Sequence, residues 1–271
     1  MIQSAHNPAQ TEAEASASPS ASLPSVSVEE ALDRLARLAV GLSGADIERL
    51  VREARGRTRR QQRPLVYADL ETALLRARPQ RSPELRYRIA VHEAGHALLR
   101  HVLEIGVVLA LSVMDADGGS TTTEEPPAVQ TETWLTKRLA VCLGGRAAEA
   151  AVFDAVTGAS GGPAYSDLAQ ATRIALSMET SLGLGADHPL VHRDVDLAGH
   201  LLLRDRDLLD RVDARLQAAM EMAQHIVEAH RNRLLRLAAA LAKAGTLDAG
   251  EIAAILDTRD SARPSIPEPS G

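Results

Sequence analysis

The chain has 271 residues, enough for one large or two modest domains, and 45% of them are hydrophobic, so a sizeable core can form. Only 2% are aromatic, which leaves Leu, Ala, Val and Ile to build that core and favours closely packed helices over a β-sandwich. A net charge of −6 sets up no basic field for nucleic acid, and the lone Cys142 excludes an intramolecular disulfide and a Cys-rich zinc ribbon.

Residues 1–26 are rich in Ala, Ser, Pro and Glu and lack an apolar h-region, so they read as a disordered tail and not as a signal peptide. Residues 259–271, punctuated by prolines, read as a second tail. No run of about 18 apolar residues occurs, which excludes a transmembrane helix from the reading and makes the cytoplasm the expected compartment.

Ser27-Val28-Glu29-Glu30 is a capping box, and Leu32, Leu35 and Leu38 then fall on one helix face. Gly41 ends that helix. Ser43 and Asp46 open a second, which runs to about Gln61 before Pro64 stops it. Tyr67–Ala77 reads as a third helix, so 27–78 is expected to be a small helical bundle. Its arginine run (Arg49, Arg52, Arg55, Arg57, Arg59, Arg60, Arg63) reads best as a solvated helix face.

The next helix, expected over 84–104, carries V-H-E-A-G-H-A-L-L-R-H at 91–101. His92 and His96 are four residues apart, so their imidazoles stack on one helix face and can reach one metal ion. Glu93 is rotated about 100° around the axis, which suits it less to ligation than to taking a proton from water at that metal. This is the division of labour of a zinc peptidase; the competing reading is an amphipathic helix with two surface histidines. A β-branched run, Val107–Val113, then predicts a strand, Asp115–Gly119 a turn, and Ser120–Thr123 a second, exposed strand. Ser120, Thr121 and Thr122 are candidate substrate-binding residues there, because an edge strand can pair with an extended peptide. Helices are expected at about 131–152, 166–182, 207–243 and 248–257.

Gly144-Gly145 sits inside a helical pattern, where each glycine costs on the order of 1 kcal/mol relative to Ala. The expected compensation is close approach to the motif helix, with Gly95 opposite. His188 and His192 are also four apart, but Pro189 between them predicts a loop.

A catalytic zinc takes three protein ligands and keeps one open position. The residues alone leave the third ligand open. Val102 and Leu99 stand where a metzincin needs His and Gly, and Ala116 stands where a thermolysin-type enzyme would offer Glu. His101 lies off the ligand face. Asp167 follows a good N-cap, Ser166, and an acid in the first turn also suits the helix dipole alone.

H-E-A-G-H-A, L-G-G-R-A-A-E at 143–149, T-G-A-S at 157–160, S-D-L at 166–168 and T-L-D at 246–248 together resemble the M41 peptidase module of the FtsH/AAA protease family. L-S-G-A-D-I-E-R-L-V-R-E-A at 42–54 resembles the helical lid of that family's AAA+ ATPase module. The resemblance implies a mainly α chain: a lid-like helical bundle at 27–78, then a mostly helical zincin-type peptidase domain with a short sheet at 79–258. It implies His92, His96 and Asp167 as ligands of one Zn2+ per chain and Glu93 as the catalytic base. It further implies action on unfolded polypeptide, assembly as ring hexamers, and work beside an AAA+ ATPase. The sequence departs from the family in lacking G-x-x-x-x-G-K-[ST], so ATP hydrolysis is not expected from this stretch itself, which reads as a fragment or a stand-alone derivative. It also lacks the family's membrane anchor, replaces the basic loop after the first strand by Met114–Gly119, and carries extra residues at Gly161–Tyr165. The alternative function is a non-catalytic adaptor or decoy that docks on an AAA+ ring.

Overall fold

A computed structural model describes residues 27–39, 42–77, 81–115, 118–125, 127–194, 202 and 204–258. The tails expected at 1–26 and 259–271, the stop at Gly41 and two residues of the turn at 115–119 lie outside them.

Three helices come first: α1 (Val28–Ala39), α2 (Gly44–Arg60) and α3 (Tyr67–Ala77). Ser43 and Asp46 form the capping box of α2, each side chain accepting the other's backbone N–H. Arg63 holds Asp69 through two bonds of 2.6 and 2.7 Å, which fixes the turn between α2 and α3. The three helices meet on small and medium apolar side chains, with Leu50, Ala54, Ala73 and Leu74 buried. Within the arginine run, Arg49 pairs with Asp46 and Glu53, and Arg52 with Glu48, so part of that charge is neutralised locally.

The motif helix is α4 (Pro83–Leu103), started by Ser82 as N-cap and Pro83 in the first turn. From Ala90 to Arg100 every residue is buried, because α4 is enclosed by partners on all sides. These are α5 (Glu132–Phe153), α7 (Arg206–Ala229), α8 (Arg231–Ala244) and the sheet. Between α5 and α7 lies α6 (Asp167–Thr180); α9 (Ala249–Leu256) closes the chain. The buried Glu179 at the end of α6 accepts from Arg211 and Arg215 of α7 at 3.0 and 2.6 Å, so both carboxylate oxygens are satisfied and α6 is tied down.

The antiparallel sheet has the order β2-β1-β3, from β1 (Val107–Asp115), β2 (Gly118–Glu124) and β3 (Thr246–Asp248). Leu111 of β1 lies opposite Thr121 on one side and Leu247 on the other. The main core is aliphatic, with Leu98, Leu99, Leu139, Met178, Leu208, Leu234, Leu237 and Leu241 fully buried. Its buried members all fall between Ala90 and Leu256, so α1–α3 contribute nothing to it.

The mainly α architecture with one small sheet agrees with the reading of the sequence. Three details differ. The helix expected over 207–243 is two helices that part at His230, whose φ of −119° leaves the helical range. The T-L-D segment forms a strand before α9 begins. The second strand starts at Gly118, earlier than its threonines suggest. No helix among the described residues is long and apolar enough to cross a membrane.

Candidate metal centre

Helices α4 and α5 approach so closely that side chains are excluded between them. A Cβ on Gly95 would fall 2.4 Å from the Gly144 carbonyl oxygen, and one on Gly145 would fall 2.4 Å from His92 Nε2. The double glycine thus lies in a helix and faces Gly95, as its pattern suggested. Glycine at 145 leaves the space that the His92 ring fills.

His92 and His96 project from α4 towards the first turn of α6. Ser166 caps that helix, accepting the Ala169 N–H, and this places Asp167 at the first helical position. The two Nε2 atoms are 3.2 Å apart, and Asp167 Oδ2 lies 3.0 Å from His92 Nε2 and 3.3 Å from His96 Nε2. Ligands placed tetrahedrally at about 2.0–2.1 Å from one ion stand about 3.3 Å from each other. The triangle therefore has the edges such an ion requires.

The outer ring nitrogens are also engaged. His96 Nδ1 donates to the Val141 carbonyl at 2.8 Å, which leaves the lone pair of the neutral ring on Nε2. His92 Nδ1 lies 2.8 Å from Glu149 Oε1, and Glu149 Oε2 accepts the Thr157 N–H at 3.0 Å. Only 1% of Glu149 is exposed, and Arg88 approaches it at 3.5 Å while lying over the Phe153 ring. A carboxylate behind a ligating histidine is a recurrent support of metal sites, because it orients the ring and raises its basicity.

Electrostatics agree with the geometry. Burial pulls the His92 pKa down, but hydrogen bonds to Asp167 and Glu149 outweigh it and push it up to about 10. For Asp167, burial acts upward, and the two histidines hold the carboxyl well below the usual carboxylate range. Glu149 is likewise lowered, its bonds to His92 and Thr157 prevailing over burial. Two imidazoles and a carboxylate converging in this way form a pocket for a cation, and the chemistry of this donor set suits a small divalent metal. Among the described residues this is the one cluster of three or more His, Cys, Asp or Glu side chains placed to hold an ion.

Glu93 is buried beside the cluster and accepts a 2.7 Å hydrogen bond from Thr121 Oγ1. A Cβ on Gly119 would fall 2.5 Å from Glu93 Cγ and 2.6 Å from Oε1, so the edge strand is cut away where the glutamate lies. Glu93, the three clustered residues, Gly119, Ser120 and Thr121 line one cleft of about 830 Å³. That volume is within the range of substrate clefts. Thr122 is exposed and does not line the cleft.

His101 is away from the cluster and pairs with Asp257 at 3.4 Å. His188 and His192 lie in irregular backbone, with His188 at φ 52°. The sequence reading attached no role to Glu149. Its only local signal is an acid in a helix interior four residues past Gly145, where an apolar face would otherwise continue.

The sequence profile of peptidase family M41 matches residues 80–255. The ATP-dependent zinc metalloprotease FtsH 3 of Sphaerobacter thermophilus is 38% identical over 252 residues, covering 87% of this chain and 50% of that protein. FtsH 1 of Symbiobacterium thermophilum, which bears the same description, is 33% identical over 87% of this chain and 41% of its own length. A third relative, from Hahella chejuensis, is 28% identical over 84% of this chain and 40% of itself. The chain thus spans about half, or less, of the length of these curated relatives.

Proposed function

This chain belongs to peptidase family M41, and on that premise we propose that it is a zinc metalloendopeptidase acting on unfolded polypeptide. The observation that carries the reading is the convergence of His92 Nε2, His96 Nε2 and Asp167 Oδ2 beside the buried Glu93 on the floor of one cleft. These three residues would hold one Zn2+. Bound there, zinc would supply a Lewis acid that makes water acidic enough to ionise near pH 7 and polarises the scissile carbonyl.

The chain's own groups do the rest. Glu93 accepts a proton from the attacking water and passes it to the leaving amine, so its carboxylate ends as it began. Glu149 and the Val141 carbonyl keep both imidazoles turned inward. The outer edge of β2 lies at the end of the sheet, where an extended peptide can add as a further strand and be held by its backbone without regard to sequence.

The helices α1–α3 fit the role of an AAA+ lid, with 79–258 as the peptidase domain. Since the sequence holds no G-x-x-x-x-G-K-[ST], ATP-driven unfolding would come from an ATPase outside these 271 residues. Ring assembly of peptidase modules is the partner arrangement the family resemblance supports.

The test is metal content measured together with cleavage of denatured casein. One zinc per chain and chelator-sensitive hydrolysis are expected. Glu93→Gln should retain the metal and lose on the order of 100-fold or more in rate; hydrolysis at the wild-type rate would refute the mechanism.

A further inference from the structure

The edge strand contacts Glu93 at two points that the reaction as described does not use. Thr121 Oγ1 donates to Glu93 Oε2 at 2.7 Å. Gly119, two residues earlier on the same strand face, offers bare backbone where any Cβ would meet Glu93 Cγ at 2.5 Å and Oε1 at 2.6 Å. Among the described residues, no hydrogen bond to Oε1 is made. One carboxylate oxygen is thus pinned by the strand, and the other keeps its lone pairs for a proton in flight.

We propose that Thr121 is a positioning residue for Glu93, so that the strand which receives the peptide also sets the orientation of the base. The inference rests on the peptidase reading above and deepens it. A glutamate has three side-chain torsions, and freezing them has an entropic cost that one charge-assisted bond is of the right size to offset. Here the Gly119 backbone removes the competing volume and the Thr121 hydroxyl selects one orientation. Register enforces the pairing: Thr121 is held opposite Leu111 of β1, and Gly119, Thr121 and Thr123 line the cleft beside Gly118 and Ser120, while Thr122 does not. Misplacing a reacting group by about 1 Å can cost on the order of 100-fold in rate, so a lost hydroxyl 2.7 Å from the base is consequential.

The experiment compares Thr121→Val and Thr121→Ser with wild type in the zinc-loaded chain. Valine has the shape of threonine and suits a strand, so folding is preserved. Expected for Thr121→Val are a kcat lower by on the order of 10–100-fold, an unchanged KM, unchanged zinc content and unchanged melting. Thr121→Ser, which keeps the hydroxyl, should recover most of the rate. A crystal structure of Thr121→Val should show the Glu93 carboxyl displaced from its place over Gly119. An unaltered kcat, a loss that serine does not repair, or a Glu93 carboxyl that stays in place would each overturn the proposal. If wild type itself cleaves nothing, the peptidase reading fails, and the place of Glu93 in the variant crystal still decides whether Thr121 positions it.

Discussion

His92 is claimed by a carboxylate at each ring nitrogen, Glu149 at 2.8 Å and Asp167 at 3.0 Å. Burial favours the neutral ring, but the two acids prevail and push its pKa up to about 10. A cation must therefore displace a proton. Adding zinc to the chelator-stripped chain at neutral pH is expected to release about one proton per chain, and release should dwindle as pH approaches 10. A pH-indicator titration in weak buffer checks this; equal release at both pH values would contradict it. The stability consequence has a definite sign. Because the folded pKa of His92 is raised above 6.5, its contribution to the metal-free fold is full below 6.5 and is lost as pH rises through about 10. Asp167, held low, contributes above 3.8 and loses that contribution as pH falls further. At this scale the sequence was informative where spacing alone decides geometry, as for His92, Glu93 and His96. Which way Thr121 faces depends on strand register, and which ring Glu149 supports depends on how two helices dock; neither is written in local pattern.

The contact of α4 with α5 is the element on which the site depends. In an exposed helix, Gly145→Ala would be favourable by about 1 kcal/mol. Here its Cβ would fall 2.4 Å from His92 Nε2, within the space the ring occupies. The expected result is a chain that still folds but binds zinc much more weakly, because the imidazole must swing out of the triangle. Zinc competition against a chromophoric chelator, with melting as the control, distinguishes this from general destabilisation; unaltered affinity would show that the ring can shift without leaving the site. The helices α4, α5 and α6 were legible from their residue patterns and, for α6, from the cap Ser166; in the structure Ser82 and Thr131 accept a first-turn backbone N–H in the same way. The break at His230 was not, since neither Gly nor Pro stands there and Leu/Ala spacing runs on into α8. Strand β3 has three residues, too few for a period-2 pattern to show; it exists because β1 offers it a free edge.

Over the whole molecule, the core and the candidate centre belong to one stretch. The buried cluster begins at Ala90 and ends at Leu256, and His92, Glu93, His96 and Asp167 fall within that span of sequence. A fragment of residues 81–258 is therefore expected to fold and to take up one zinc, with a melting temperature within a few degrees of the full chain. Circular dichroism and metal analysis check this, and a fragment that fails to fold would show that α1–α3 are part of the same cooperative unit. The three donors of the triangle are not held alike. Both imidazoles grow from adjacent turns of one helix, so their backbone anchors keep a fixed spacing as long as that helix stays wound. Asp167 arrives on a different helix, after the connection 154–166, whose only regular piece is a single 3-10 turn at Gly158–Ser160. A metal seated there would consequently bridge two separately anchored helices, and fraying the first turn of α6 alone would open the triangle while the buried remainder of that helix stays packed.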